Sequence, residues 1–177
     1  DIKRKIRSVN SPMQITKAME LVSTAKLKRA RTRMDITKPY FDTIQKAVLE
    51  VLGSDHTIKT NYVSDKEIVK NIYIIITSDR VLCGVYNANI IKAALEDVKD
   101  KENAQFLAVG RRGNDVLTRH DFKITDSFLY ISEKPEHIHA SQIAKIATDL
   151  YNKGEVDAIQ LVYTRFASTI SQVATKL

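Results

Sequence analysis

The chain has 177 residues, and its 28 lysines and arginines exceed its 21 aspartates and glutamates by seven charges. Hydrophobic residues make up 44% and charged residues 28%, so the composition is that of a globular protein and excludes a disordered, a collagen-like or a membrane-embedded chain. The length allows one or two domains, and the single cysteine, Cys83, excludes an internal disulfide.

The positive charge is concentrated at the start of the chain. Residues 1–34 carry ten basic and two acidic side chains, a net charge of +8, whereas the remaining 143 residues carry 18 basic and 19 acidic side chains, a net charge of −1. A basic end joined to a neutral body predicts an acidic partner, which can be nucleic acid, anionic lipid or an acidic protein surface.

A long helix is predicted for residues 1–53. No glycine interrupts the first 52 residues, and apolar residues recur at steps of three and four, as in coiled coils. Two prolines disturb the pattern, because Asn10-Ser11-Pro12 can begin a new helix and Pro39 should kink the helix or break it. If the segment is nonetheless continuous, it is about 75 Å long.

The apolar row of this helix needs a second surface to cover it. The rest of the chain contains no second helix of matching length, so we expect that surface on another chain or on a part of this protein outside the sequence. The sequence starts at Asp1 rather than at a methionine and ends at Leu177 within an alternating segment, and both features predict a truncated chain.

Residues 54–70 are polar and predict a linker, and residues 71–177 predict a second domain. Strands are predicted at Ile72–Thr77, Gln105–Val109, Phe122–Phe128 and Ala158–Phe166, and helices at Ile90–Val98, Asn114–Arg119 and Ser141–Asn152. Strands that alternate with helices form a mostly parallel sheet covered by helices. The predicted fold class is therefore α/β, with a long N-terminal coiled-coil helix and a small Rossmann-like domain.

The turn after the first predicted strand, Thr77–Gly84, lies where doubly wound domains bind nucleotides. It contains neither a G-x-G-x-x-G nor a G-x-x-x-x-G-K-[ST] sequence, so we expect no phosphate-binding backbone loop. We interpret the turn as structural or as a contact with a partner.

Three further groups of residues give weaker chemical signals. Gly110-Arg111-Arg112-Gly113 could hold an anion at a helix N-terminus, but a solvated turn is the simpler interpretation. His137 and His139 lack a third ligand at a convincing spacing and predict a solvated loop rather than a metal site. Cys83 predicts a small buried residue rather than a nucleophile. The sequence thus predicts no catalytic residue, no metal site and no cofactor.

The basic side chains of the helix surround it rather than forming one stripe, and they include Lys17, Lys26, Lys28, Arg29, Arg31 and Arg33. On charge alone a nucleic-acid-binding protein with a basic helical arm is an alternative. The spacing disfavours it, because Pro39 stands where a bZIP protein would begin its zipper, and an RNA-binding arm would benefit from aromatic residues, of which none precedes Tyr40.

Several motifs are similar to those of one family. They are Ile6-Arg7-Ser8-Val9, Gln14 to Ser23 and Lys26 to Arg29 in the first helix, then Lys38-Pro39-Tyr40, then Thr77-Ser78-Asp79-Arg80 with Leu82-Cys83-Gly84 and Tyr86-Asn87, and finally Ser168 to Gln172. In this order, and over essentially the whole chain, they resemble the γ subunits of F-type ATP synthases.

The resemblance implies a rotor subunit rather than an enzyme. In this family two paired long helices turn inside a ring of three α and three β subunits, and the α/β domain lies with the ε subunit on the c ring. Proton or sodium flow drives the rotation, and ATP forms in the β subunits. The implied partners are the α and β subunits, the ε subunit and the c ring, with no nucleic acid and with the membrane contacted only indirectly.

The implied location is the cytoplasmic face of the cell inner membrane in a bacterium or, as the alternative, the matrix face of the mitochondrial inner membrane. The resemblance also implies contact residues. Those between the helix and the β subunits are Lys17, Met19, Lys26, Arg29 and Arg33. Those of the motif turn, as structural or partner-contact residues, are Asp79, Arg80, Leu82, Cys83 and Gly84.

Two departures from the family pattern are visible. The family usually has glycine where Val81 stands, and because a β-branched residue disfavours positive φ, either this position does not need it or the turn is altered. The family also ends in a second long helix, antiparallel to the first, and this sequence stops before it. The resemblance therefore accounts for the uncovered apolar row.

Overall fold

The computed structural model describes residues 2–54, 62, 67–96 and 98–177. The chain divides into two compact units, Asp1–Thr60 and Asn61–Leu177. Most of the predicted linker, residues 54–70, lies outside the described residues. In the part of the chain that is described, no helix is both long enough and apolar enough to cross a membrane.

The first unit is one helix, α1, which runs from Ile2 to Ser54. Its 53 residues span about 80 Å at 1.5 Å per residue. The helix continues through Pro12 and Pro39, so the predicted new start and the predicted break are wrong, and the continuous alternative is correct. A proline removes only one helical donor, and the carbonyls left without it, on Ser8 and Asp35, belong to exposed residues that water can reach.

The second unit contains a five-stranded sheet in the order β3-β2-β1-β4-β5. The strands are β1 (Asn71–Ile76), β2 (Ala104–Val109), β3 (Lys123–Phe128), β4 (Ala158–Phe166) and β5 (Gln172–Lys176). All neighbouring pairs are parallel except β4 with β5, which is antiparallel. The alternating end of the sequence therefore forms an edge strand.

Three helices cover the sheet: α2 (Tyr86–Leu95), α3 (Arg111–Arg119) and α4 (His137–Asn152). Each begins three or four residues before its predicted start, because the residues of the first turn do not show the apolar spacing that marks a helix in sequence. His137 and His139 are therefore in the first turn of α4, and the predicted solvated loop is wrong.

Alternate residues of the central strands form a core on each face of the sheet. Tyr73 and Ile75 of β1 pack with Ile90 of α2 and Leu117 of α3. Their neighbours on the other face pack with Ala147 of α4; they include Ile72, Ile74, Leu107 and Val109. The predicted α/β class with a mostly parallel, helix-covered sheet is confirmed.

Candidate functional site

Thr77, at the end of β1, is the buried centre of the motif turn. Its hydroxyl donates to the carbonyl of Val109 at 3.1 Å and accepts the backbone N–H of Gly113 at 2.8 Å. Gly110 has a φ of 93°, and a Cβ there would lie 2.2 Å from the Thr77 carbonyl oxygen. A Cβ on Gly113 would lie 2.9 Å from the Thr77 side chain. Both glycines are therefore required for packing, and the interpretation of Gly110–Gly113 as a solvated turn is wrong for them.

Asp79 connects the turn to the loops that follow β2 and β3. Its carboxylate accepts the backbone N–H groups of Arg111 at 3.0 Å, Tyr130 at 2.8 Å and Ser132 at 3.3 Å, as well as the Ser132 hydroxyl. Burial alone would raise the pKa of Asp79, but these hydrogen bonds favour the ionised form and lower its pKa overall. The Asp79 carboxylate therefore links the loop after β1 to the segments that follow β2 and β3.

Ser78 and Arg80, on either side of Asp79, fix the turn further. The Ser78 backbone N–H donates to the Asn87 side chain at 2.9 Å, and the Asn87 amide donates back to the Ser78 hydroxyl at 2.8 Å. Arg80 pairs with Glu133 at 2.6 Å on the surface. The turn is thus held to the start of α2 and to the loop before α4.

The tip of the turn is exposed and apolar. Val81 is 58% exposed, Leu82 85% and Val85 69%. The positive φ angles fall at Leu82 (70°) and Gly84 (54°), not at Val81, so the family's usual glycine is not needed at that position here. Cys83 is exposed, and its predicted burial is wrong.

The start of α4 uses a histidine in a capping box. The Glu136 side chain accepts the backbone N–H of His139, and the His139 Nδ1 atom accepts the backbone N–H of Glu136 at 3.2 Å. A hydrogen bond and an ion pair with Lys134, 2.8 Å away, lower the pKa of Glu136. The capping box thus accounts for His139, and His137 is the first residue of α4. Among the described residues no three His, Cys, Asp or Glu side chains are grouped to hold a metal.

A cavity of about 840 Å³ lies between the sheet and the first half of α4. Its walls are mainly apolar and include Ile74, Ile76, Val109, Ile143 and Leu161. Sequence reasoning missed this cavity, because the pattern of α4 shows which residues are apolar but not how much of the sheet the helix covers.

Helix α1 presents all its described side chains to solvent, including the five predicted contact residues. At 100° per residue, Met19, Lys26, Arg29 and Arg33 fall within a sector of about 80°. Lys17 lies on the opposite side. We call these four residues, of which Lys26, Arg29 and Arg33 are basic, the cationic face; the sequence pattern alone had suggested no stripe.

The two halves of α1 differ in how their charges are paired. In the second half, ion pairs four residues apart join Arg31 to Asp35 (3.9 Å), Lys38 to Asp42 (2.6 Å) and Lys46 to Glu50 (3.8 Å). Between Ile2 and Ala30 the only acidic residue is Glu20. The first half therefore keeps a large uncompensated positive charge.

Comparisons with known proteins agree over the full length of the chain. The family described as ATP synthase matches residues 1–177. An ATP synthase gamma chain of Alkaliphilus metalliredigens is 43% identical over 171 residues, which are 97% of this chain and 59% of that relative. A sodium ion specific ATP synthase gamma chain of Acetobacterium woodii is 40% identical over 98% of this chain and 58% of its own length.

Among solved structures, the central stalk and c ring of the Tetrahymena thermophila mitochondrial ATP synthase matches with a TM-score of 0.72 and 24% identity. The match covers 92% of this chain and 70% of that one, and it shows a shared fold. The chain spans about three fifths of the length of the curated relatives that it matches.

Proposed function

Because the chain belongs to the ATP synthase γ-chain family, we propose that it is the central-stalk rotor subunit of an F-type ATP synthase. Ion flow turns the c ring, the chain turns with it, and α1 rotates inside the ring of α and β subunits. The β subunits respond by changing conformation during ATP synthesis or hydrolysis. The second unit contacts the ε subunit and the c ring.

The observation that carries this proposal is the uncovered surface of α1. A helix of 53 residues exposes large apolar side chains along its length, among them Ile6 at 53%, Val22 at 56% and Val48 at 51%. So much exposed apolar surface is stable only against another surface. A second rotor helix and the surrounding α and β subunits supply one, and a continuous helix about 80 Å long can extend far into such a ring.

The cationic face supports a contact with acidic loops of the β subunits. Arg29 and Arg33 lie one helical turn apart, and Met19 and Lys26 lie on the same side. Exposed ion pairs are each worth only about 0–1 kcal/mol, so several contacts must act together. Lys17 faces the other way and meets a different subunit of the enclosing ring.

The motif turn has two roles in this proposal. Asp79 and Arg80 hold its shape through the bonds to Tyr130 and Glu133. Leu82, Cys83 and Gly84 form the exposed tip, which contacts a neighbouring subunit. A large apolar side chain that is 85% exposed on a firmly held loop suits such a contact.

We propose that the chain is non-catalytic and that ATP chemistry takes place in the β subunits. Asp79 lies at the carboxyl edge of the sheet, where α/β enzymes place catalytic groups. Its carboxylate accepts hydrogen bonds from backbone N–H groups instead of facing a substrate site. The coupling ion, H⁺ or Na⁺, is selected in the c ring.

The chain is peripheral to the membrane. It lies on the cytoplasmic side of the bacterial inner membrane or, as the alternative, on the matrix side of the mitochondrial inner membrane. Relatives from bacteria such as Alkaliphilus metalliredigens support the first location.

Co-purification tests the proposal. A tag on this chain in its native complex should recover a large assembly that contains α and β subunits, and detergent should be needed to recover the c ring as well. Recovery of a lone monomer would contradict the proposal. So would salt-sensitive binding to duplex DNA in place of these subunits.

A further inference from the structure

Helix α1 is missing a backbone hydrogen bond at Pro39, in its second half. Pro39 has no N–H to donate to the carbonyl of Asp35, four residues earlier, and its ring crowds that carbonyl. A helix relieves this crowding by opening slightly on the side of the proline, where water can reach the carbonyl. Because Asp35 is exposed, such an opening costs little at this position.

Threonine hydroxyls weaken the helix on both sides of Pro39. The Thr37 hydroxyl donates to the carbonyl of Arg33, and the Thr43 hydroxyl donates to the carbonyl of Pro39 at 2.8 Å. In a helix each of these carbonyls also accepts a backbone N–H, and a threonine that shares the carbonyl in this way slightly destabilises the helix and often bends it. The proline and the two threonines therefore act on the same stretch of α1.

Pro12 is a weaker candidate for a bend. The Thr16 hydroxyl donates to the Pro12 carbonyl at 2.9 Å, but no threonine precedes Pro12 in the sequence. Pro12 also lies near the start of α1 at Ile2, so a bend there would move only the first few turns. A bend at Pro39 would instead tilt most of the helix relative to its last 15 residues.

The position of Pro39 around the helix gives the direction of the bend. At 100° per residue, the exposed apolar residues Ile44, Val48 and Val51 fall within a sector of about 60°, and Pro39 lies about 120–180° away from them. The cationic face overlaps their sector. Since a helix bends away from its proline, and long helices are convex toward solvent, Pro39 belongs on the outer side of the bend.

We propose that α1 bends at Pro39, with Pro39 on the outer side and with Ile44, Val48 and the cationic face on the inner side. The part of α1 before Pro39 tilts toward the surface that covers these residues and carries the cationic face with it. This inference rests on the proposed function, because the assembly supplies that surface.

Distances between spin labels on the outer side test the bend. Asn10, Lys28 and Lys46 lie on one line along the helix, about 20° from Pro39, because a step of 18 residues completes about five turns. We would place labels with Asn10→Cys and Lys28→Cys in one chain and with Lys28→Cys and Lys46→Cys in another. Both chains carry Cys83→Ser and are labelled before assembly with the other subunits.

Only the second pair of labels spans Pro39. In a straight helix the two pairs are equally far apart, about 27 Å between their backbones. A bend of about 20° should lengthen the distance between positions 28 and 46 by about 2 Å or more in the assembled complex. The distance between positions 10 and 28 should keep the straight-helix value and serves as the internal reference.

Two proline variants sharpen the test. Pro39→Ala restores the missing N–H with the best helix-forming residue, so it should keep the helix and shorten the distance between positions 28 and 46 to the reference value. Pro12→Ala makes the same change outside this pair and should leave the distance unchanged.

The possible contrary results have different meanings. Equal distances for the two pairs in the wild-type complex, or no change with Pro39→Ala, would overturn the bend and leave the rotor function standing. A distance between positions 28 and 46 that is shorter than the reference would overturn the assigned direction. Failure of the wild-type chain to assemble with α and β subunits would overturn the proposed function as well.

Discussion

Asp79 accepts the backbone N–H of Tyr130 at 2.8 Å and so holds a tyrosine whose φ is 62°. A left-handed conformation costs a non-glycine residue about 1–2 kcal/mol. A hydrogen bond to an ionised acceptor is stronger than a neutral one and offsets part of that cost. The loop after β3 is therefore shaped by a side chain from the loop after β1, 51 residues earlier in sequence.

Asp79→Asn should destabilise the second unit by about 1–2 kcal/mol, because an amide cannot replace a carboxylate that accepts from three backbone N–H groups. Urea denaturation of the chain measures the change. Asp115→Asn is the matched control, since Asp115 makes only surface pairs with Arg111 and Arg112 and should cost about 0–1 kcal/mol. Equal losses for the two variants would contradict the structural role of Asp79.

The stability that Asp79 provides should depend on pH. Its pKa in the folded chain is lower than the ordinary value of 3.8. The contribution is thus fully present above the unfolded pKa and is lost as the pH falls through the folded one. The stability difference between wild type and Asp79→Asn should be constant from about pH 5 to 8 and shrink below about pH 4. A difference that grew on acidification would contradict the assignment.

Gly110→Ala should be far more destabilising than Gly84→Ala. Both glycines have positive φ, but a Cβ at Gly110 meets the Thr77 carbonyl at 2.2 Å, whereas the space at Gly84 is open. We expect about 1 kcal/mol at Gly84 from conformation alone and more than about 3 kcal/mol at Gly110, where the contact is added to it. Thermal unfolding of both variants compares the two, and similar midpoints would show that the contact is relieved.

Met19→Lys should lower the coupling of the assembled enzyme more than Lys26→Ala. The first change adds a competing charge to the cationic face, whereas the second removes one of several weak contacts. The measurement is the ratio of ATP made to ions moved across the membrane. Ratios equal to wild type in both variants would count against a contact at this face.

Charge reversal should distinguish the cationic face from the rest of α1. Arg29→Glu combined with Arg33→Glu places two negative charges on the cationic face and should weaken rotor-driven ATP synthesis several-fold, since like charges across an interface are costly. Lys46→Glu changes a side chain that is already paired with Glu50 and serves as the control. Equal effects would contradict a special role for the cationic face.

The central strands were predictable because β1 and β2 are short, continuous apolar runs buried on both faces, a pattern typical of parallel sheets. The continuity of the helix through Pro39 was harder to predict. Helix propensity scores a proline as a local break, whereas in a helix of 53 residues the loss of one hydrogen bond is a small part of the whole. Cys83 was wrongly predicted to be buried, since the sequence does not show that the tip of its turn is open to solvent.

The hydrogen bonds of Asp79 left no pattern in the sequence. Most of its partners are backbone N–H groups, which every residue except proline has, and they come from loops 32 to 53 residues away. The cationic face was hidden for a different reason. Lys28 and Arg31 lie on other sides of α1, so a count of basic residues along the sequence does not show that Lys26, Arg29 and Arg33 are aligned.

The charge of α1 changes along its axis more than around it. Ile2 to Met34 carry ten basic residues and one acidic residue, whereas Asp35 to Gly53 carry two basic and three acidic residues. If such a helix is reversed end for end, the nearly neutral segment takes the place of the strongly positive one. A channel that is acidic at one end only would therefore favour one insertion direction of α1 over the other, and salt would weaken that preference.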